Sequence, residues 1–153
     1  MHIGRETRAC MKYHVKYFKY FYYHFPWQIF MVVIFILSSI GQQDLPRFTE
    51  KISDKILHLL AFGIMGFLMV RSFKYSSNGF LNNYAAGLAF SFTSLYGILD
   101  ELHQKLVPGR YCSFTDWLAD TTGALLFILV FLFYWYLKNK RLARAHLTQK
   151  NSQ

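Results

Sequence analysis

FTDWLADTTGALLFILVFLFYWYL, residues 114–137, decides the fold. The run exceeds the about 20 residues that carry a helix across roughly 30 Å of hydrocarbon. From residue 125 to 137 nothing is polar except the tyrosines. A helix of a water-soluble bundle needs a polar face, so the run excludes that class. Moving outward, the 54% hydrophobic chain holds three more apolar blocks, residues 27–40, 56–70 and 84–99. Each reaches spanning length with its flanks of Tyr, Trp, Lys or His, residues that suit the membrane interface. The expectation is an all-α integral membrane bundle of four transmembrane helices. A cleaved leader ending near Ser39-Ile-Gly41 is the alternative for the first block. Secretory leaders have a short basic front, whereas this apolar core begins only at Ile29, so an uncleaved span is expected.

Charge orients the bundle. The net charge of +9 raises the question of nucleic acid, but its distribution answers otherwise. Twelve of the 17 basic residues fall on one side. They are Arg5, Arg8, Lys12, Lys16 and Lys19 before the first block, Arg71 and Lys74 between the second and third, and Lys138, Lys140, Arg141, Arg144 and Lys150 after the last. The positive-inside rule puts both termini in the cytoplasm. Of the acids, only Glu6 lies on that side; Asp44, Glu50, Asp54, Asp100, Glu101, Asp116 and Asp120 lie at the other. Cys10 and Cys112 then sit on opposite sides and form no intrachain disulfide. In residues 12–25, Lys12, Lys16 and Lys19 share a helical face among aromatics, which predicts an interfacial helix on an anionic leaflet. Pro26 is suited to start the first span, and the basic tail after Lys138 is expected to fray. Ser76 to Gly79 reads as a turn.

The acids of the outer side concentrate in the third connection. On the third block Gly87, Ser91, Ser94, Gly97, Glu101 and Gln104 form a stripe, small at one end for close helix approach and polar at the other. Helix three should end before Pro108, with Val107 to Arg110 as a type II turn. Asp100 and Glu101 then oppose the helix dipole and need a partner, for which Arg110 is placed to fold back. Ser113 to Asp116 resembles a capping box, so Asp116 is either a cap or a ligand. Asp120 lies a turn further, beyond any cap. On helix two, Asp54 and His58 are neighbours, and a packed histidine bonded to Asp54 is the plainer alternative to a functional one. Together Asp54, His58, Glu101, Gln104, Arg110, Asp116 and Asp120 are expected to converge on an outer-face binding pocket. Glu101 and His58 are the candidates for proton handling.

Two of these segments, DKILHLLAFGIMGFL (residues 54–68) and DELHQKLVPGRYCSFTDWLADTTGALL (residues 100–126), resemble the signatures of VanZ-like membrane proteins. The resemblance covers residues 40–137. It implies a small multi-pass protein of the bacterial cytoplasmic membrane, of a family named for an accessory role in teicoplanin resistance. Its signature positions here are Asp54, His58, Glu101, Gln104, Arg110, Asp116, Asp120 and Gly123. Asp120 stands where asparagine is expected. The chain then divides into an interfacial segment (1–25), a VanZ-like four-helix domain (26–137) and a basic cytoplasmic tail (138–153).

Three functions compete: binding or modifying a lipid-linked or cell-wall precursor, a structural or partner-docking bundle, and a proton or ion path. The first is preferred, with the lipid bilayer as the other partner and no nucleic acid. The acids are able to hold a divalent cation, but zinc-type Cys/His spacing is absent, so no metal site and no cofactor are assigned. Ser113 and Cys112 have no adjacent base that marks a nucleophile.

Overall fold

Among its described residues this computed structural model has five helices: α1 Ile3–Ser38, α2 Asp54–Lys74, α3 Gly79–Asn83, α4 Ala85–Gln104 and α5 Phe114–Asn151. The backbone is described for residues 3–41 and 53–151, and the side chains for residues 18, 20–41, 53–145 and 147–149. Asp44, Glu50 and the side chains of Cys10, Lys12, Lys16 and Lys19 lie outside the described residues. No strand occurs among the described residues.

Among the described residues three helices are long and apolar enough to cross a membrane, over Tyr20–Ser38, Asp54–Lys74 and Phe114–Gln149. The sequence led to an expectation of four. The remaining block forms α4, whose 20 residues suffice in length. Its composition does not, because Ser91, Thr93, Ser94, Gly97, Asp100, Glu101 and Gln104 lower its mean hydropathy. The outward faces support immersion in lipid. Val32, Phe35, Ile36, Leu95, Leu99, Leu129, Val130 and Phe133 are all exposed, far more apolar surface than a soluble protein of this size leaves in water.

Side-chain contacts make the long helices antiparallel neighbours. At one end Tyr23 of α1 stacks on Tyr75 after α2, and Lys138 of α5 reaches the same Tyr75. At the other end the close of α1, the start of α2, the close of α4 and the start of α5 meet. The most extensive packing joins α2 and α5, and small residues permit it. A Cβ on Gly66 would lie 3.2 Å from the Ala124 backbone, and one on Gly123 would overlap the Leu59 carbonyl. Apolar side chains fill the interior, with Met69, Val70, Ala89, Ile128 and Phe131 in one cluster toward the first end and Ile34, Phe62 and Met65 in another that borders His58.

Two sequence expectations about helix ends fail. Pro26 does not start a span; it lies inside α1. Proline has no N–H, so the carbonyl of Tyr22 four residues earlier loses its helical donor. The Arg71 guanidinium replaces it, with Nη2 donating to Tyr22 O at 3.2 Å and the cation over the Tyr22 ring at 4.3 Å. Re-satisfaction by a neighbouring helix is how membrane helices tolerate proline. The tail also stays helical, to Asn151. Its Lys, Arg, Leu and Ala content favours helix by propensity, so no breaker stops α5 at the interface.

The expected turn forms. Arg110 N donates to Val107 O at 3.1 Å and Gly109 takes a φ of 78°, the left-handed value that a type II turn requires at its third position. Asn78 caps the short α3, accepting from Phe80 N at 2.9 Å.

Candidate functional site

The ends of α2, α4 and α5 that meet opposite the basic end enclose ionisable groups in the interior. His58, Asp100, Glu101, Gln104 and Asp116 are buried, and Asp120 is fully so at 0% exposure. Helical spacing supplies each contribution. His58 lies one turn into α2, Glu101 in the last turn of α4, and Asp120 in the second turn of α5. Two glycines bring them together. Gly123 lets α5 approach the backbone of Leu59, the residue after His58. A Cβ on Gly97 would sit 2.9 Å from Asp120 Oδ2, so the bare glycine leaves room for that carboxylate under α4.

The centre is a three-residue cluster. His58 Nδ1 lies 2.9 Å from Asp120 Oδ1 and 4.0 Å from Glu101 Oε1. Glu101 Oε2 accepts the Ser113 N–H at 2.6 Å. The other oxygens, Glu101 Oε1 and Asp120 Oδ2, are buried without a hydrogen-bond partner among the described residues. Asp54 and Asp116 also lie near His58, with one ligand atom from each of the three within 4.8 Å of the others. Lys55 closes that rim, with Nζ 2.9 Å from Asp116 Oδ1 and 2.6 Å from Thr115 Oγ1.

The structure rearranges several expected pairings. His58 bonds to Asp120 rather than Asp54, which is half exposed. The capping box does not close, because the Ser113 N–H that Asp116 would accept is taken by Glu101 and Asp116 turns to Lys55. Arg110 does not reach Asp100 or Glu101. Its Nε donates to Ile40 O at 3.2 Å and its Nη2 to Leu37 O at 3.5 Å, satisfying carbonyls at the close of α1, with Asp54 3.9 Å from Nη1. Gln104 turns from the cluster to donate to Asp100 Oδ2 at 2.8 Å. The small end of the α4 stripe is also misplaced. Gly87 and Ser91 are exposed, and the buried face runs through Ala85, Ala89, Thr93 and Gly97. Ser91 is six residues from Gly97, about 120° around a helix of 3.6 residues per turn, so those steps drift off the packed face.

Lys55 is a member of this environment that the sequence reading left out, and Asp100, expected to need a partner, finds it in Gln104. Lys55 had one available signal, its position beside Asp54 at the start of α2. Behind the cluster, an open cleft of ≈ 330 Å³ lies between α4 and the start of α5. Ile98, Leu102, Phe114 and Trp117 make its walls apolar, while Glu101 and Ser113 supply its polar edge. Glu101 therefore belongs to both the buried cluster and the cleft.

Comparison with known proteins agrees with the two sequence signatures. The VanZ/LLP1 family model matches residues 7–136. The match begins well before residue 40 and takes in most of the amino-terminal segment. No curated protein and no solved structure matches the chain.

Proposed function

The chain belongs to the VanZ/LLP1 family, and from that premise we propose that it binds, and acts on, a lipid-linked molecule of the bacterial cell envelope. In this reading α4 is a fourth span and both termini are cytoplasmic. The cluster of His58, Glu101 and Asp120 then faces the envelope side of the cytoplasmic membrane. The double membership of Glu101 carries the reading. A buried carboxylate at the edge of an apolar cleft suits a molecule with a hydrocarbon chain and a polar head. The chain would lie against Ile98, Leu102 and Phe114, and the head would meet the cluster and its rim of Asp54, Lys55 and Asp116. Altered susceptibility to glycopeptides such as teicoplanin is the phenotype to examine in a deletion strain.

Topology is tested with variants that retain only Cys10 or only Cys112, labelled in intact cells with a membrane-impermeant maleimide. Cys112 is exposed, so it should react while Cys10 stays protected until the cells are opened. The reverse pattern removes the envelope-facing reading. The site is tested by complementing a deletion with Glu101→Gln, which should fail at normal protein abundance.

The Arg110 bonds to the close of α1 favour a second reading, in which the polar groups only lock the bundle or dock a partner. There, Glu101→Gln would lower membrane abundance together with function.

A further inference from the structure

We propose that His58, Glu101 and Asp120 form a binding site for one divalent transition-metal ion. The inference rests on the geometry of the cluster and stands apart from the choice of envelope ligand. Three observations converge on it.

First, the ligand atoms are correctly spaced. The imidazole Nδ1 and one oxygen from each carboxylate lie within 4.8 Å of one another. Two ligand atoms about 2.1 Å from a tetrahedral ion are about 3.4 Å apart. The separations of 2.9 Å and 4.0 Å from Nδ1 to Asp120 and Glu101 bracket that value, so small side-chain rotations would seat an ion. Second, Glu101 Oε1, the oxygen that faces His58 Nδ1 at 4.0 Å, is buried without a hydrogen-bond partner among the described residues, on a side chain 5% exposed. A buried carboxylate oxygen without a donor is costly, and a cation is the ligand that removes the cost. Third, the local charge is unbalanced. Asp100, Glu101, Asp116 and Asp120 are buried together. Lys55 is held by Asp116, and Arg110 is engaged with Ile40 and Leu37. The imidazole is the cationic group left for both Glu101 and Asp120.

The nitrogen ligand favours a transition ion over magnesium or calcium, which take all-oxygen shells. The ion would replace the hydrogen bond between His58 and Asp120, and its remaining positions would stay open to water or to an anionic oxygen of a bound molecule.

The test uses the full chain purified in mild detergent, stripped with a chelator, reloaded with Zn²⁺ and desalted. Metal content is read by mass spectrometry and thermal unfolding is followed in parallel. The wild type should retain one equivalent and unfold at a higher temperature with Zn²⁺ than without. His58→Gln, Glu101→Gln and Asp120→Asn should each weaken retention more than about tenfold and lose the thermal shift. Wild-type protein that keeps no ion and shows no shift overturns the proposal. So does retention by all three variants at the wild-type level, which would place the ion elsewhere. If a variant does not fold, the wild-type shift and the other two still decide. Each variant removes a ligand with little change of shape, and the readout needs no envelope molecule, so failure here is separate from failure of the envelope reading.

Discussion

The two ends of the helical bundle treat charge in opposite ways. At the end where α2 closes, cations rest on rings and a hydroxyl. Arg71 covers Tyr22, Lys74 lies 4.8 Å from the Trp135 ring centre, and Lys138 bonds the Tyr75 hydroxyl at the exposed surface. At the other end, four acids and a histidine are inside, and two carboxylate oxygens lack partners among the described residues. Chain length explains part of the contrast. Lys and Arg extend their charge to the interface while their stems stay in the apolar layer, and Asp and Glu are too short to do so. The acidic end keeps its ionisable groups buried, where charge is expensive.

Substitutions should separate the two ends by the size of their effect. The largest loss is expected for Asp120→Ala, which leaves His58 without its bonded carboxylate. Breaking a buried pair from one side costs about 3–5 kcal/mol, read as the midpoint of unfolding in detergent. A change below about 1 kcal/mol would mean that the pair carries little stability and is kept for another reason. Gly123→Ala should come next. The added methyl meets the Leu59 carbonyl, and overpacking on this scale costs about 3 kcal/mol, visible as reduced membrane abundance. If abundance is unchanged, α2 and α5 pack less closely than they do here. Arg71→Leu at the basic end should cost only about 1–2 kcal/mol, the sum of a carbonyl hydrogen bond and a ring contact. That loss should largely vanish when Pro26→Ala restores the N–H that Tyr22 O lacks, a double-mutant test of the proline clip. Lys138→Ala should leave unfolding unchanged, since its hydroxyl partner lies at the solvent surface.

Part of this was legible in the chain. The apolar run of residues 114–137 carries its meaning alone, because hydrocarbon length depends only on rise per residue. The Pro108-Gly109 pair specifies its turn for the same local reason, a fixed φ followed by a residue free to take a positive one. Placing Glu101 and Asp120 on inward faces follows from period and depth. The partner assignments were not legible. Asp54 and Asp120 both lie within reach of His58, and only the rotation of α5, pressed close at Gly123, selects Asp120. Glu101 displaces Asp116 as the acceptor for Ser113 because α4 closes beside the start of α5. Arg110 is drawn to α1, and Arg71 allows α1 to run through Pro26, each by a carbonyl whose need is invisible from its own segment.

The sequence alone therefore determined that residues 114–137 belong to a helix of membrane-spanning length, which turn joins α4 to α5, and that acids gather near the close of α4 and the start of α5. Those properties depend on composition, periodicity and φ preference within about one helical turn. The tertiary structure alone decided who meets whom: His58 with Asp120 and Glu101, Arg110 with the close of α1, Arg71 with Tyr22. Those choices depend on how near two helices approach and how each is rotated about its axis, and glycines such as Gly97 and Gly123 set both only once the facing helix is in place.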